Sequence, residues 1–166
     1  RFTAGTATRY GQSFLTGFPN HQCLAKGYDI GMRFHSAPVI RYFDAKPMQL
    51  GHTIKADGRW RLFIFADNEF TSIEKSKVHL VCSILSEASD SLIKKYTPDD
   101  QDIDSIFDVR AVFQMSHRDL NSDFLPALLT PSKGKYKLVD YEKVFCPDLK
   151  FGKDIFEMRK IDRTEG

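Results

Sequence analysis

ADGRWRLFIFAD, residues 56–67, is the stretch that decides the fold class. Asp57-Gly58 is a turn signal, and an extended apolar segment follows it directly. Both faces of that segment carry apolar side chains, with Trp60, Leu62, Ile64 and Ala66 on one face and Phe63 and Phe65 on the other. Strands that are covered on both faces have this pattern. Residues 60–66 are therefore predicted to form a central strand, with helices above and below the sheet.

The next segment, residues 71–96, has the periodicity of an amphipathic helix. Apolar residues recur there every three or four positions: Val78, Val81, Leu85, Ala88, Leu92 and Tyr96. Thr71 and Glu74 have the spacing of a capping box, and Pro98 prevents the helix from continuing. The pattern predicts one long helix.

A second strand is predicted at FDVRAVFQM, residues 107–115. Asp108, Arg110 and Gln114 lie on one face of it, so we expect this strand near a sheet edge or a polar surface. Weaker strand patterns cover 38–45, 48–54 and 137–147, and short helices or turns are predicted at 124–130 and 152–162. The order strand, helix, strand indicates an α/β fold with helices on both faces of a sheet.

Composition and charge exclude several classes of protein. The 166 residues carry a formal net charge of only +2, which gives no electrostatic case for nucleic acid or an anionic membrane surface. No apolar run approaches the roughly 18 residues that a membrane span needs. The three cysteines, Cys23, Cys82 and Cys146, are widely spaced and odd in number. This usage favours a reducing, cytoplasmic setting over a disulfide-bonded secreted one.

Two short motifs resemble catalytic or metal-binding loops but lack essential residues. HRDL at 117–120 matches the start of a kinase catalytic loop, yet Phe124 stands where magnesium binding needs Asn. Asp100, Asp102 and Asp104 have the spacing of a calcium loop, but Ser105 replaces its glycine and Ala111 its bidentate Glu. We interpret the first motif as a polar loop and the second as a solvated acidic loop.

Other searches for chemistry are negative. The sequence contains no G-x-G-x-x-G, no P-loop and no histidine pair with metal-binding spacing. Cys82 lies beside the apolar stripe of the predicted helix and is interpreted as a packing residue, whereas Cys146 before Pro147 is open to exposure. We therefore assign no catalytic, cofactor-binding or metal-binding residue, and the chain is interpreted as a mixed α/β module without its own active site.

Four stretches together resemble a known family. GMRFHSAPVIRYFDAKPMQLGHTIKADGRWRLFIFAD (31–67), VDYEKVFCPD (139–148) and KDIFEMRKID (153–162) are similar to the C-terminal domain of fungal-type phenol hydroxylases, or phenol 2-monooxygenases. FTAGTATRYGQSFLT (2–16) resembles the segment that leads out of their flavin domain. The resemblance covers nearly the whole chain and is more specific as an ensemble than any one motif.

The resemblance implies a thioredoxin-like mixed sheet flanked by helices, used for dimerisation and lacking the C-x-x-C redox pair. Residues 1–30 would be a connector from a preceding flavin domain, and residues 31–166 the thioredoxin-like C-terminal domain. In such enzymes FAD, NADPH and phenol bind to the preceding domains, and phenol is hydroxylated to catechol with O2. The segment itself would bind no cofactor and would be inactive alone. Its partners would be the flavin and substrate domains of its own chain and a second copy.

The resemblance also predicts that the chain is a piece of a longer protein. The sequence begins without Met, and family members continue past the final helix into a Val-rich strand with an Arg-Pro-Asp motif, whereas this sequence stops at Gly166. Without that strand, the sheet would have an open and aggregation-prone edge.

Two alternatives from other functional classes remain at this point. One is a thioredoxin-like thiol enzyme that acts through a single cysteine, and replacing Cys23, Cys82 and Cys146 together would abolish its activity. The other is a thioredoxin-like adaptor that binds a protein through a Phe-rich surface, since the chain contains 14 Phe.

Replacing Leu62 with Asp tests the predicted core. We expect Leu62→Asp to unfold the module, because an unpaired buried charge costs several kcal/mol. Circular dichroism of the purified variant measures this. Retained folding would mean that residues 60–66 are not part of the core.

Overall fold

The computed structural model describes residues 5–68 and 76–166, which form a mixed sheet with short helices on both faces. The strands of these residues are β1 (Pro38–Arg41), β2 (Lys46–Gln49), β3 (Trp60–Phe65), β4 (Phe107–Val112), β5 (Ser132–Lys133), β6 (Leu138–Val139) and β7 (Val144–Pro147). The α-helices are α1 (Lys77–Ser86), α2 (Leu92–Tyr96) and α3 (Ile155–Arg159). Short 3₁₀ turns lie at Pro19–Leu24, Leu50–Thr53, Ser122–Phe124, Ala127–Leu129 and Leu149–Phe151.

Five of the strands form one sheet in the order β2-β1-β7-β4-β3. β3, β4 and β7 run parallel to one another, and β1 is antiparallel to both β7 and β2. β5 and β6 form a separate antiparallel hairpin. The α/β class that the sequence predicts is confirmed, with α1 and α2 on the connection between the parallel neighbours β3 and β4.

The predicted positions of the two strongest strands are wrong. β3 was expected in the centre and lies at the edge of the sheet, whereas β4 was expected near an edge and lies between β7 and β3. Both faces of β3 are covered, since Phe63 stacks on Phe34 and Phe65 contacts Phe156 on one face, while Leu62 and Ile64 pack against a core on the other. Coverage of the two faces, however, says nothing about whether a strand has a neighbour on each side.

The prediction that β4 lies near a sheet edge is wrong for a different reason, which concerns its polar face. Asp108 and Arg110 are both buried, and Asp108 accepts a hydrogen bond from Nε of Arg110 at 2.9 Å. Alternation of polar and apolar residues usually marks a solvated face. Here the polar residues are buried as ion pairs, so a central strand carries the pattern of an edge strand.

The single helix predicted over 71–96 is two helices. α1 ends at Ser86 and α2 begins at Leu92, and Ser91 caps α2 by accepting a hydrogen bond from the amide of Lys94. Ser76 caps α1 in the same way. The predicted capping box at Thr71 lies outside the described residues. Because the chain turns between the helices, the predicted stripe is not continuous, and Val81, Leu92 and Tyr96 are exposed.

Two apolar cores lie on opposite faces of the sheet. The first packs α1 and α2 onto the sheet through Val78, Cys82, Ile93, Val109, Ala111, Phe113 and Val144, with Leu62 partly buried against it. The second packs α3 onto the other face through Ile155, Phe156, Val39, Val112 and Phe145. Helices on both faces, as predicted, therefore turn the sheet into the middle layer of three.

Three smaller predictions need correction. Residues 48–54 do not form one extended strand, because β2 ends at Gln49 and a 3₁₀ turn buries Leu50 while His52 is exposed. Asp57-Gly58 does form a bend, with Gly58 at φ +77°, but it joins strands that are not paired with each other and so makes no hairpin. Cys146 is buried in the first core instead of exposed.

Residues 5–30 contain little regular structure beyond Pro19–Leu24, yet their last part packs against the sheet module. Tyr28 stacks on Phe34, with 5.0 Å between the ring centroids. Gly27 lies so close to α3 that an added Cβ would be 1.7 Å from the carbonyl oxygen of Arg159. Only glycine fits at this approach, so the predicted connector is attached to the module at its end.

Candidate functional site

The largest group of interacting ionised side chains in the described part of the chain lies at the amino ends of the three parallel strands. We call it the charge cluster, and its members are Asp57, Asp104, Asp108, Asp140, Arg59, Arg61, Arg110, Lys133 and Lys143. They come from β3 and the loop before it, from β4 and the loop before it, from the β5–β6 hairpin and from the residues before β7. The cluster therefore joins four segments of the chain.

Lys143 lies at the centre of the charge cluster. Its side chain is only 1% exposed, and its ammonium is 2.7 Å from Asp104 and 2.5 Å from Asp108. Asp140 lies farther away at 3.6 Å. An ammonium group has three donors and no acceptor, so these carboxylates satisfy a cation that has no access to bulk water.

Asp108 is surrounded by cations from its own strand and from β3. Its carboxylate is fully buried and receives hydrogen bonds from Lys143 and Arg110. Nε of Arg61 is 3.1 Å from Oδ2 of Asp108, at ion-pair distance but without hydrogen-bond alignment. Arg61 also forms a salt bridge with Asp57, just before β3. A single buried carboxylate thus connects β3, β4 and the start of β7.

The cations of the cluster keep its carboxyl groups charged. Burial by itself raises the pKa of Asp104, but hydrogen bonds and charges from Lys133 and Lys143 outweigh burial, so this pKa lies below its ordinary value. The pKa of Asp140 is lowered by a similar balance, in which burial is opposed by the amide of Glu142 and the two lysines. Both carboxyl groups are therefore ionised at neutral pH.

The arrangement is suited to holding the parallel strands together. Each carboxylate described above is occupied by arginine or lysine donors, which leaves none placed to take a proton from a substrate. Ligands of open α/β sheets bind outside the carboxyl ends of the parallel strands. The charge cluster lies at the opposite, amino ends, where its contribution is to stability.

The carboxyl ends of β3 and β4 are covered by the last residues of the chain. The side-chain amide of Gln114 donates to the carbonyl oxygens of Ala66 and Arg163, at 2.8 and 2.7 Å. Arg163 in turn forms a salt bridge with Asp154. Asp67 is buried beside this segment, and neither of its carboxylate oxygens has a hydrogen-bond partner in the described part of the chain. Among the described residues, Gln114 and Arg163 therefore cover part of the edge where α/β enzymes bind ligands.

Two of the three cysteines are poorly suited to thiol chemistry. Burial raises the pKa of Cys82 and of Cys146 to about 12 in each case, so neither forms a thiolate near neutral pH. Cys23 is exposed, in the turn Pro19–Leu24. The interpretation of Cys82 as a packing residue is confirmed.

The structure shows what the residues of the two short motifs contact. Asp100 is exposed, as a solvated loop requires, but Asp102 accepts a hydrogen bond from the amide of Gly134 and the buried Asp104 belongs to the charge cluster, so only the first part of the acidic loop is solvated. HRDL forms a turn after β4 and ends in the buried Leu120, which agrees with a loop. Residues 5–68 and 76–166 contain no group of three or more His, Cys, Asp or Glu that could hold a metal ion.

Sequence reasoning missed the charge cluster altogether. Lys143 and Asp108 were predicted as ordinary strand or surface residues, and no local spacing connects Asp104 to Lys143 39 residues later. One signal was available, since a charged pair at alternate positions inside an apolar strand, Asp108 and Arg110, is unusual unless it is buried as an ion pair.

None of the helices of the described residues is long and apolar enough to cross a membrane.

Comparison with known proteins places this geometry in a family. Residues 8–166 match the family model described as phenol hydroxylase, C-terminal dimerisation domain. A 3-hydroxybenzoate 4-monooxygenase of Comamonas testosteroni is 53% identical over 167 residues, covering 100% of this chain and 26% of the relative. The FAD-dependent monooxygenase terD of Aspergillus terreus is 34% identical over 150 residues, covering 89% of this chain and 24% of the relative. The chain thus spans about a quarter of the length of these curated relatives.

Replacing Lys143 tests the role of the charge cluster. Lys143→Met removes the ammonium between two buried carboxylates, and we expect the free energy of unfolding to fall by about 3 kcal/mol, since breaking a buried ion pair leaves uncompensated charge. Lys133→Met is the matched control. Lys133 is more exposed and leaves Asp104 paired with Lys143, so its loss should cost about 1 kcal/mol or less. Urea unfolding of the two variants measures both values.

The pH dependence of stability provides a second readout. A carboxyl group whose pKa is lowered by folding stabilises the protein above its unfolded pKa of about 3.9, and this contribution is lost as the pH falls through the lower folded pKa. The free energy of unfolding should therefore decrease below about pH 4, and less steeply in Asp104→Asn. Equal costs for the two lysine variants, with no change in this slope, would show that the cluster is not a stabilising unit.

Thiol labelling tests the assignment of the cysteines. With a water-soluble disulfide reagent at neutral pH, Cys23 should react in the folded protein and Cys82 and Cys146 only after unfolding, because the two buried thiols are protonated and shielded. Cys23→Ser should abolish the fast reaction. Rapid labelling of that variant would contradict the burial of the other two thiols.

Proposed function

Because the chain belongs to the phenol hydroxylase C-terminal dimerisation domain family, we propose that it is the C-terminal part of an FAD-dependent aromatic monooxygenase. Its role is to support that enzyme and to join two copies of it. The observation that carries this proposal is the family match over residues 8–166. The two apolar cores and the charge cluster support it, since they hold the strands and helices of the described residues together and use their ionised side chains on one another.

The reaction proposed for the whole enzyme is hydroxylation of a phenolic ring with NADPH and O2. Phenol giving catechol is one candidate reaction. The relative that is 53% identical is called 3-hydroxybenzoate 4-monooxygenase, which favours a hydroxybenzoate as the substrate. FAD, NADPH and the aromatic substrate would bind to the preceding flavin and substrate domains of the same chain, in a cytoplasmic enzyme.

The division of this chain follows from the same proposal. Residues 1–30 would connect the flavin domain to residues 31–166, whose mixed sheet would be a thioredoxin-like fold without the C-x-x-C pair. Exposed apolar side chains such as Phe14 and Phe18 suit a segment that the preceding domains cover. The family match begins at residue 8, inside this stretch, and Tyr28 packs on Phe34. The connector would thus be anchored at its end.

The single-cysteine thiol enzyme has less support than the dimerisation role. Burial and raised pKa values leave Cys82 and Cys146 without nucleophilic character at neutral pH. Cys23 is exposed, but it does not belong to a C-x-x-C pair. A protein-binding adaptor would differ from a dimerisation domain in binding a different protein instead of its own copy.

Cofactor binding by the segment tests the supporting role. A protein comprising residues 1–166 should show no flavin absorbance after purification and should not oxidise NADPH with phenol or 3-hydroxybenzoate, because the residues for this chemistry are proposed to lie in preceding domains. The full-length enzyme, assayed in parallel, should do both. Stoichiometric FAD bound to residues 1–166 would contradict the proposal, and a faster rate on one substrate identifies the substrate of the whole enzyme.

A further inference from the structure

Helix α1 carries a second apolar stripe that faces away from the core. The helix buries Val78 and Cys82 against the sheet. On its other side, Leu80, Val81 and Ile84 are 61%, 39% and 53% exposed. Leu80 and Ile84 are one turn apart and so lie next to each other on the surface. A helix that is apolar on two sides is normally covered on both, so this stripe is suited to a partner.

Residues of opposite charge lie at the two ends of the stripe. Lys77 is the first residue of α1, and Glu87 is the residue that caps its end. They are ten positions apart, which at 3.6 residues per turn places both on the side of Leu80 and Ile84. The sequence between them, VHLVCSILS, contains no Asp, Glu, Lys or Arg. The exposed side of α1 therefore has a basic end, an apolar middle and an acidic end.

We propose that α1 packs antiparallel against α1 of a second copy of this chain, about a two-fold axis near the middle of the helix. In such a contact each patch meets itself, so Leu80, Val81 and Ile84 of the two copies would be buried together. The antiparallel arrangement brings Lys77 of each copy next to Glu87 of the partner subunit at both ends. A parallel arrangement would place like charges together. This inference names the surface through which the proposed dimerisation occurs, and it rests on that proposal.

The contact needs more area than α1 provides. A stable interface buries about 800 Å² on each partner, which exceeds what one side of a three-turn helix offers. Lys77 is already linked to the last residues of the chain by a 2.7 Å salt bridge with Glu165, and half of its side chain is still exposed. The α1 stripe would therefore be the apolar centre of a larger contact, with charged residues at its rim.

A second exposed apolar group, on the β5–β6 hairpin, is less suited to contact with a second copy. The tip of the β5–β6 hairpin exposes Tyr136 and Leu138, but Lys133, Lys135 and Lys137 alternate with them. A two-fold contact there would bring lysines of the two copies together, and like charges at an interface are unfavourable. The hairpin therefore serves as the matched control surface.

Charged substitutions in the stripe test the proposal on the full-length enzyme. Leu80→Lys combined with Ile84→Lys should raise the Kd of the dimer at least 100-fold, because four lysines would meet at its centre. Tyr136→Lys combined with Leu138→Lys adds the same charge to positions that are somewhat more exposed and should leave the Kd unchanged. Sedimentation velocity over a range of concentrations measures the Kd, and circular dichroism checks that each variant is folded.

A charge exchange tests the antiparallel orientation. Lys77→Glu and Glu87→Lys should each raise the Kd about tenfold, and the double variant should return it close to the wild-type value. Lys77→Glu also removes the salt bridge with Glu165 within the chain. The double variant does not restore that bridge, so recovery of the dimer reports the contact between subunits.

The outcomes distinguish this inference from the proposed function. A full-length enzyme that is monomeric at all concentrations would overturn both. A wild-type dimer that the Leu80 and Ile84 variant leaves intact would overturn the α1 contact alone, because another surface then joins the copies. If that variant remains dimeric while this domain becomes cleavable from the rest of the chain by protease, the preceding domains cover the stripe and the inference is wrong.

Discussion

The ammonium of Lys143 is enclosed within the protein, and the parallel part of the sheet is organised around it. Removing such a cation from water costs several kcal/mol unless carboxylates are in place. Its two close partners, Asp104 and Asp108, belong to the loop before β4 and to β4 itself, while Lys143 directly precedes β7. Only two residue pairs join β4 to β7, Ala111 with Val144 and Val112 with Phe145. The ion pairs therefore help to fix the register between β4 and β7, which few backbone contacts determine.

The charge cluster and the two cores divide the task of making a rigid module. Apolar burial on both faces supplies most of the driving force for folding, but it is not directional. The charge cluster is directional, because each carboxylate must meet particular donors. Arg61 and Arg110 extend it to β3 and to the far side of Asp108.

The same organisation determines which polar groups are already engaged. The charge cluster pairs its ionised side chains with one another at the amino ends of the strands, and Gln114 and Arg163 cover the carboxyl ends of β3 and β4. On α1 the exposed side is apolar between charges of opposite sign, which suits the proposed contact with a second copy.

Much of the fold could be predicted because it depends on local pattern. The strands at 60–65, 107–112 and 144–147 and the helix at 155–159 follow from runs of apolar residues and from turn residues around them. The prediction failed where a residue's meaning depends on distant partners. Considered alone, Asp108 and Arg110 predict a solvent-exposed strand face. Asp108 can be buried because it pairs with Arg110 on its own strand and with the distant Lys143.

The sequence by itself determined the α/β class, most of the strands and helices, the role of Cys82 as a packing residue and the family resemblance. Each of these depends on local residue spacing or on short sequence motifs. The tertiary structure decided which strand is central, where the long helical pattern breaks, and that charges of four segments meet in one cluster. The physical reason is that strand order and buried ion pairs arise from contacts between residues far apart in the chain, such as Asp108 and Lys143. Local periodicity carries no information about such contacts.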